Sequence, residues 1–225
     1  MRAVTFAACI AISSSASPSQ AAPQVSYKVR DSKPMKGVSI QTVSFDAIVG
    51  LDKNAIKKIN TALTAASATF GKEAKECSTY AQGHPWGYEL ALEKVLLSEK
   101  YLSVVFSKST VCAGSPDLEK EARVFSIPTG DRVSARDLFK KMFPTAKFVG
   151  STSTNKELIR LDEEMAEALI NDSKDVFKTY DSECEFYLKH ASYRIWTDGK
   201  NLILFAEFIQ PASFCQKEYL IQPDE

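Results

Sequence analysis

Four cysteines follow an export-like N-terminus in this chain: Cys77, Cys112, Cys184 and Cys215. An even number of cysteines in an exported chain is typical of a disulfide framework, and four cysteines permit three pairings. We favour Cys77–Cys112 with Cys184–Cys215, because each pair encloses two strand-like runs joined by a turn, which would bring the partners together, although spacing alone does not fix the connectivity. Zinc binding is the rival interpretation. It is disfavoured because the chain lacks Cys-x-x-Cys and its two histidines lie far from any close cysteine pair.

The N-terminal segment has the pattern of a secretory signal. Arg2 provides a basic start, residues 3–12 an apolar stretch, and Ser19-Gln20-Ala21 the small residues that signal peptidase requires. We therefore predict a signal peptide over residues 1–21 and a periplasmic or secreted protein. The alternatives are an N-terminal tail without order and a lipoprotein signal at Cys9, which too few residues precede to form an apolar core.

Length and charge narrow the classes of partner. The roughly 200 residues after the signal suffice for one domain with its own core. We predict a single domain over residues 22–225, with two intimately packed halves, 22–110 and 111–225, as the alternative. No later stretch approaches the ~20 apolar residues that cross a bilayer, so we expect no transmembrane anchor. The 28 basic and 28 acidic residues balance, which offers no basic face for nucleic acid or an anionic membrane.

The first part of the mature chain predicts a strand, a helix and a hairpin. Residues 38–45 alternate partly with period two, which suits a strand with one buried face. Asp52 can cap a following helix, whose apolar residues recur at helical spacing and which Gly71 is predicted to end. Residues 87–97 and 101–107 are apolar runs joined by a short polar segment and predict a hairpin.

The second part predicts further strands and helices. Residues 120–127 predict a strand that ends in a Pro-Thr-Gly turn, after which Ser134 caps a short helix. From Asn155, apolar residues at helical spacing predict a second long helix: Leu158, Leu161, Met165 and Leu169. Three C-terminal runs predict strands: residues 184–196, 202–208 and 215–221. Because strands and helices do not alternate as βαβ units, we predict a disulfide-stapled α+β fold with largely antiparallel sheets and two main helices.

The order of these segments is similar to that of a known extracytoplasmic domain. The likeness is carried by the strand ending near Phe45, the helix with Ile59-Asn60, the hairpin around residues 101–106, and the last hairpin over residues 196–205. Its sharpest part is Phe125-Ser126-Ile127-Pro128-Thr129-Gly130-Asp131-Arg132-Val133-Ser134 leading to Asp137-Leu138-Phe139. The pattern resembles the extracellular domain of RsiV-type anti-sigma factors and the non-catalytic N-terminal region of PdaC-type peptidoglycan deacetylases. It covers nearly all of the mature chain.

The resemblance implies an extracytoplasmic binding domain, which in the sensing branch captures lysozyme. This sequence departs from that branch in two ways. It shows no transmembrane helix or cytoplasmic segment, so we do not expect signalling across a membrane. It has residues 110–117 where the family commonly has a glycine-glycine-alanine-histidine loop, so the resemblance does not fix the ligand.

Catalytic patterns are weak in this sequence. It contains no Gly-x-Ser-x-Gly elbow, phosphate-binding glycine loop or His-Glu-x-x-His helix. Asp162-Glu163-Glu164 and the pair Glu183 and Glu185 could act as paired carboxylates, but acidic residues on outer faces are usually solvated. Cys112 could be a reactive thiol, yet an even set of cysteines favours pairing. We predict a protein without enzymatic activity, cofactor or metal.

Two loops are the candidate recognition elements: His84 and Trp86 in the first, and Ser115, Pro116 and Asp117 in the second. Loops on a cross-linked scaffold commonly carry recognition, and tryptophan contributes large contact area. A lone histidine in a Gly/Pro loop is more often part of the surface structure. If Cys77 pairs with Cys112, the two loops start from one cross-link and should lie close together.

The resemblance, together with the exported, disulfide-linked character of the chain, implies a protein that binds or inhibits a cell-wall-active protein, such as a lysozyme-like hydrolase. A toxin is another possible protein partner, which would make the chain an immunity protein. The alternative is an accessory domain that binds peptidoglycan or another polysaccharide of the cell envelope. The sequence leaves the choice between these ligands open.

Overall fold

A computed structural model describes residues 25–112, 114, 116–146, 157–172, 181–208 and 212–223. Within these residues, ten strands form two sheets and four α-helices accompany them. The fold is α+β with largely antiparallel pairing, as the sequence predicted. The predicted signal peptide over residues 1–21 and the candidate binding residue Ser115 lie outside the described residues. In the described part of the chain, no helix has the length and apolar character needed to span a membrane.

The first sheet has six strands in chain order: β1 (Val25–Ser32), β2 (Val38–Ile48), β3 (Gly87–Leu97), β4 (Tyr101–Val111), β5 (Pro116–Ser126) and β6 (Arg132–Val133). All neighbours are antiparallel except β2 and β3, which pair in parallel over only three residues each. A parallel pair needs a crossover connection, and helix α1 (Lys53–Tyr80) provides it. The hairpin predicted from residues 87–107 is β3 and β4.

Helix α1 covers one face of this sheet. Its N-terminus is capped as predicted, because the Asp52 carboxylate accepts a hydrogen bond of 2.7 Å from the Ala55 amide. The Asn60 side chain bonds the amide and the carbonyl of Phe45 at 2.8 and 2.9 Å, which fixes the helix against β2. The buried face of the helix includes Ile59, Leu63, Phe70, Ala74 and Cys77.

Helix α1 does not end at Gly71, so that prediction was wrong. Ala74 and Cys77 continue the buried spacing of Phe70 beyond the glycine, and the helix runs to Tyr80. A glycine inside a helix costs about 1 kcal/mol relative to alanine. Burial of the last two turns against the sheet outweighs that cost, because tertiary packing supplies most helix stability in proteins.

Two glycines give opposite expectations for replacement by alanine. Gly130 has a φ of +67°, and a Cβ there would lie 2.4 Å from the Ala55 carbonyl oxygen. Gly130→Ala should therefore lower the free energy of unfolding by about 1–3 kcal/mol. Gly71 has open space around it, so Gly71→Ala should raise that free energy by about 0.5–1 kcal/mol. Urea unfolding of both variants checks this, and a loss of stability at Gly71 would contradict the helical continuation.

The second sheet comprises β7 (Leu158–Ile159), β8 (Ser192–Thr197), β9 (Leu202–Glu207) and β10 (Glu218–Ile221), in the order β10-β9-β8-β7 and antiparallel throughout. Three helices accompany it: α2 (Ala135–Met142), α3 (Glu163–Asp172) and α4 (Asp181–His190). Ser134 caps α2 as predicted, since its hydroxyl oxygen accepts a hydrogen bond from the Asp137 amide at 3.1 Å. A 3₁₀ turn, Ala212–Cys215, precedes β10.

Two sequence predictions in this region were wrong. Leu158 belongs to β7, where it pairs with Arg194, and the helix predicted from Asn155 begins only at Glu163. Asp162 causes this start, because its carboxylate accepts a 2.9 Å bond from the Met165 amide. Residues 184–190 form α4 rather than a strand. Its buried positions, Cys184 and Leu188, are four residues apart. In so short a segment this spacing fits one face of a strand as well as one face of a helix, so the apolar pattern does not distinguish the two.

The core lies on both faces of the first sheet. Leu102, Val104 and Phe106 pack with α1, whereas the intervening Val105 packs with the second sheet. Where the two sheets meet, the buried Ser103 hydroxyl on β4 donates a 2.7 Å hydrogen bond to the Thr197 carbonyl on β8. β4 and β5 pair over eleven residues each, so the first sheet extends across the 110/111 boundary considered for two halves.

Candidate binding surface

The two disulfides join Cys77 to Cys112 and Cys184 to Cys215, which is the pairing favoured from the sequence. The Cys77 sulfur lies 3.7 Å from the Val111 carbonyl oxygen and 3.9 Å from that of Gly87. The first disulfide therefore links the last turn of α1 to the end of the sheet where β3 begins and β4 ends.

Three loops meet at this end of the first sheet. Gly87 pairs with Val111, and Val111 pairs with Pro116, so the loops before β3 and after β4 leave the same end. The parallel pairing of Val38 with Tyr88 brings the loop before β2 to the same end. We call residues 33–37, 81–86 and 112–117 the loop surface. Pro116 and Asp117 are its two strand residues, at the start of β5, and Ala113 and Ser115 lie outside the described residues.

Trp86 joins two of these loops. It is half-buried, and its ring lies close to Gly37, where an added Cβ would approach the ring to 3.7 Å. Gly37 also has a φ of +82°, a conformation that favours glycine. His84 is exposed in the same loop, and its amide donates a 2.8 Å bond to the Ala81 carbonyl. The loop before β3 is therefore fixed by Trp86, while His84 faces solvent.

The second predicted loop leads into β5. Pro116 is exposed at the start of this strand, and Asp117 is half-buried opposite Thr110. Burial raises the pKa of the Asp117 carboxyl, and the neighbouring Glu119 carboxylate raises it further. The structure thus brings His84, Trp86, Pro116 and Asp117 to one end of the sheet.

A groove of about 360 Å³ with both polar and apolar lining lies beside the loop surface. Its lining includes Lys33, Ser39, Gly87, Glu89, Ser109 and Thr110. The hydroxyl groups and the two opposite charges can form hydrogen bonds with a polar side chain or with sugar hydroxyls. The groove depends on the parallel pairing of β2 and β3, for which the sequence has no local signal.

A cluster of buried charges at the junction of the sheets was missed by the sequence analysis. The Glu121 carboxylate lies 2.9 Å from Arg123 Nη1, 3.1 Å from Arg194 Nη2 and 3.9 Å from Lys108 Nζ. Arg194 also contacts Glu207 at 2.6 Å. Burial alone would lower the pKa of Arg194, but the two carboxylates outweigh burial and raise it. The only local signal is the alternation of charges over residues 119–123, because Arg194 is 73 residues from Glu121.

Further charged contacts extend from this cluster towards the loop surface. Lys108 pairs with Glu119 and lies 3.6 Å from Glu73 on α1. Burial alone would lower the pKa of Lys108, but these carboxylates raise it. The Tyr88 hydroxyl donates a 3.0 Å bond to Glu73, and burial together with this carboxylate raises the pKa of Tyr88. These contacts connect the C-terminal half of α1 to β3, β4 and β5 beneath the loops.

Among the described residues, no group of three or more His, Cys, Asp or Glu side chains could hold a metal ion. No protein-family model and no curated protein sequence matches the chain. The described residues define a disulfide-linked α+β protein with a polar loop surface at one end of a six-stranded sheet.

Proposed function

We propose that this protein is an extracytoplasmic, non-enzymatic binding protein that captures or inhibits a cell-wall-active protein, such as a lysozyme-like hydrolase, through the loop surface. The observation that carries the proposal is the meeting of three loops at one end of the sheet beside the Cys77–Cys112 disulfide. Loops on a rigid scaffold are common recognition elements. Two disulfides are typical of proteins that fold outside the cytoplasm. The resemblance to RsiV-type and PdaC-type domains supports the same class of function.

Preorganisation of the loops supports tight binding. Trp86 is packed on Gly37, and the disulfide links the adjacent segments. The loops are therefore partly ordered before binding, which reduces the conformational entropy lost when a partner binds. The exposed His84 and Pro116 lie at the same end of the sheet as the half-buried Trp86 ring, a residue type that often dominates interface energetics. The groove beside them can receive a side chain of the partner.

The test is a binding and inhibition assay with the oxidised protein, residues 22–225, against lysozymes and purified envelope hydrolases. We expect inhibition at near-stoichiometric ratios. Trp86→Ala should weaken binding at least about tenfold, as truncation of a central aromatic residue commonly does. Asp117→Ala should weaken it less, because the short Asp117 side chain offers less contact area than the indole ring of Trp86. Tyr27→Ala is the matched control, since this exposed aromatic residue lies away from the loops on β1.

Purified wall fragments separate the protein partner from the glycan alternative. Binding of fragments without any protein, together with no effect on the hydrolases, would replace the proposal by an accessory glycan-binding function. Hydrolase binding that is unchanged in both Trp86→Ala and Asp117→Ala would remove the loop surface from the proposal. Failure to bind either class of ligand would overturn the proposal.

A further inference from the structure

The outer face of α4 carries an exposed phenylalanine held between other rings. Phe186 is 63% exposed, and its ring centroid lies 5.0 Å from that of His190 and 5.8 Å from that of Tyr187, both edge-on. The Tyr187 ring in turn lies 6.0 Å from Phe208, and both of these residues pack against the core. We call these four residues the aromatic ladder. Its outer end presents apolar surface to water, which a bound partner would cover.

Acidic residues predominate on α4, which carries the aromatic ladder, and on the neighbouring α3. Among the described side chains of α3 and α4, six are acidic and one is basic: Glu163, Glu164, Glu167, Asp172, Glu183, Glu185 and Lys189. Lys189 is already paired with Glu167 at 2.9 Å, and this hydrogen bond raises the pKa of Lys189, with Glu163 and Glu185 adding to it. The whole chain has balanced charge, whereas the described residues of these two helices are mostly acidic, and Glu163, Glu167 and Glu185 all act on Lys189, three residues after Phe186.

The second disulfide holds this surface in place. Cys184 lies two residues before Phe186 on the opposite, buried face of α4, and it is bonded to Cys215 in the 3₁₀ turn before β10. Leu188 is fully buried on the same inner face. The helix therefore cannot turn Phe186 inward without exposing Cys184 and Leu188.

We propose that the aromatic ladder and its acidic rim form a second interaction surface, which binds a basic protein segment whose arginine side chains lie across Phe186. A guanidinium group stacks on an aromatic ring and pairs with carboxylates at the same time. The methylene stem of arginine can also cover the exposed ring. Nucleic acid and anionic membranes would be repelled by the acidic rim, and an uncharged apolar partner would gain no charge interaction from it.

A fluorescent octa-arginine peptide is the probe for this surface, used with the full oxidised chain and followed by fluorescence anisotropy. We expect octa-arginine to bind more tightly than octa-lysine, because the ammonium group stacks less well on an aromatic ring. Binding should weaken as NaCl rises from about 0.05 to about 0.5 M, since salt screens exposed charges. Phe186→Ala should weaken binding about fivefold, whereas Phe186→Trp should retain it. The triple variant Glu163→Gln/Glu167→Gln/Glu185→Gln should weaken binding and reduce its salt dependence.

The controls separate this surface from the loop surface. Tyr80→Ala removes an aromatic side chain that is 70% exposed elsewhere, and it should leave octa-arginine binding unchanged, as should Trp86→Ala. Equal affinity of Phe186→Ala and the unaltered chain would overturn the proposal, since charge alone would then explain binding. Binding of octa-glutamate, or self-association abolished by Phe186→Ala, would also overturn it by assigning another occupant. Loss of hydrolase binding in Trp86→Ala with octa-arginine binding intact would support both surfaces independently.

Discussion

Glu121→Ala is expected to lower the free energy of unfolding by about 3–5 kcal/mol, the cost of removing one partner from a buried ion pair. The Glu121 side chain is only 7% exposed and lies near three cations, Arg123, Arg194 and Lys108. Arg194 is even less accessible, with an exposure of 4%, and Arg123 is nearly as inaccessible, with an exposure of 10%. Without this carboxylate, Arg123 loses its carboxylate partner and Arg194 retains only Glu207, while both side chains have little exposed surface at which water could replace the lost contact.

Urea unfolding measures this effect, and Glu119→Ala is the matched control. Glu119 lies on the same face of β5, two residues away, but its side chain is 29% exposed and its partner Lys108 retains Glu121 and Glu73 nearby. The control should therefore cost about 1 kcal/mol or less, as partly exposed pairs usually do. Equal losses at the two positions would contradict the role given to Glu121 at the junction of the sheets.

Removal of either disulfide is the second large expected effect. The Cys77–Cys112 and Cys184–Cys215 bonds span 35 and 31 residues. The two bonds should therefore lower the conformational entropy of the unfolded chain by nearly equal amounts. Each double variant, Cys77→Ala/Cys112→Ala and Cys184→Ala/Cys215→Ala, should lower the free energy of unfolding by about 3–4 kcal/mol. Urea unfolding of the oxidised protein and both variants checks this expectation.

The two disulfide variants should differ in binding even where they agree in stability. Loss of Cys77–Cys112 should weaken hydrolase binding, because this bond holds the loop surface. Loss of Cys184–Cys215 should weaken octa-arginine binding, because that bond anchors α4 beneath Phe186. If both variants weakened both interactions alike, the disulfides would act on global stability alone.

The sequence predicted those parts of the fold whose signals are local. Asp52 and Ser134 cap their helices as expected, and the hairpin of β3 and β4 follows from two apolar runs around a polar turn. Boundaries that depend on packing were missed. Gly71 does not end α1, because the residues beyond it are buried by the sheet, and short apolar runs concealed both β7 and α4.

The candidate surfaces were only partly predictable for a similar reason. Cysteine spacing was enough to associate the loops of Trp86 and Asp117, since one cross-link connects their neighbouring segments. The third loop, residues 33–37, joins them only through the parallel pairing of β2 with β3. The charge cluster unites Glu121 with Arg194, 73 residues away, and such distant pairs leave no periodic trace in a sequence.

The short parallel contact between β2 and β3 divides the first sheet into two unequal parts. Only three residues of each strand pair there, against eleven between β4 and β5. The β1–β2 hairpin is therefore joined to the rest of the sheet by a narrow seam and by α1, and local opening of the native state should begin at such a seam. The loop surface straddles it, with residues 33–37 on one side and residues 81–86 and 112–117 on the other. A partner that binds residues on both sides would hold the β1–β2 hairpin against the rest of the sheet. Its binding free energy would therefore also stabilise the hairpin against local opening.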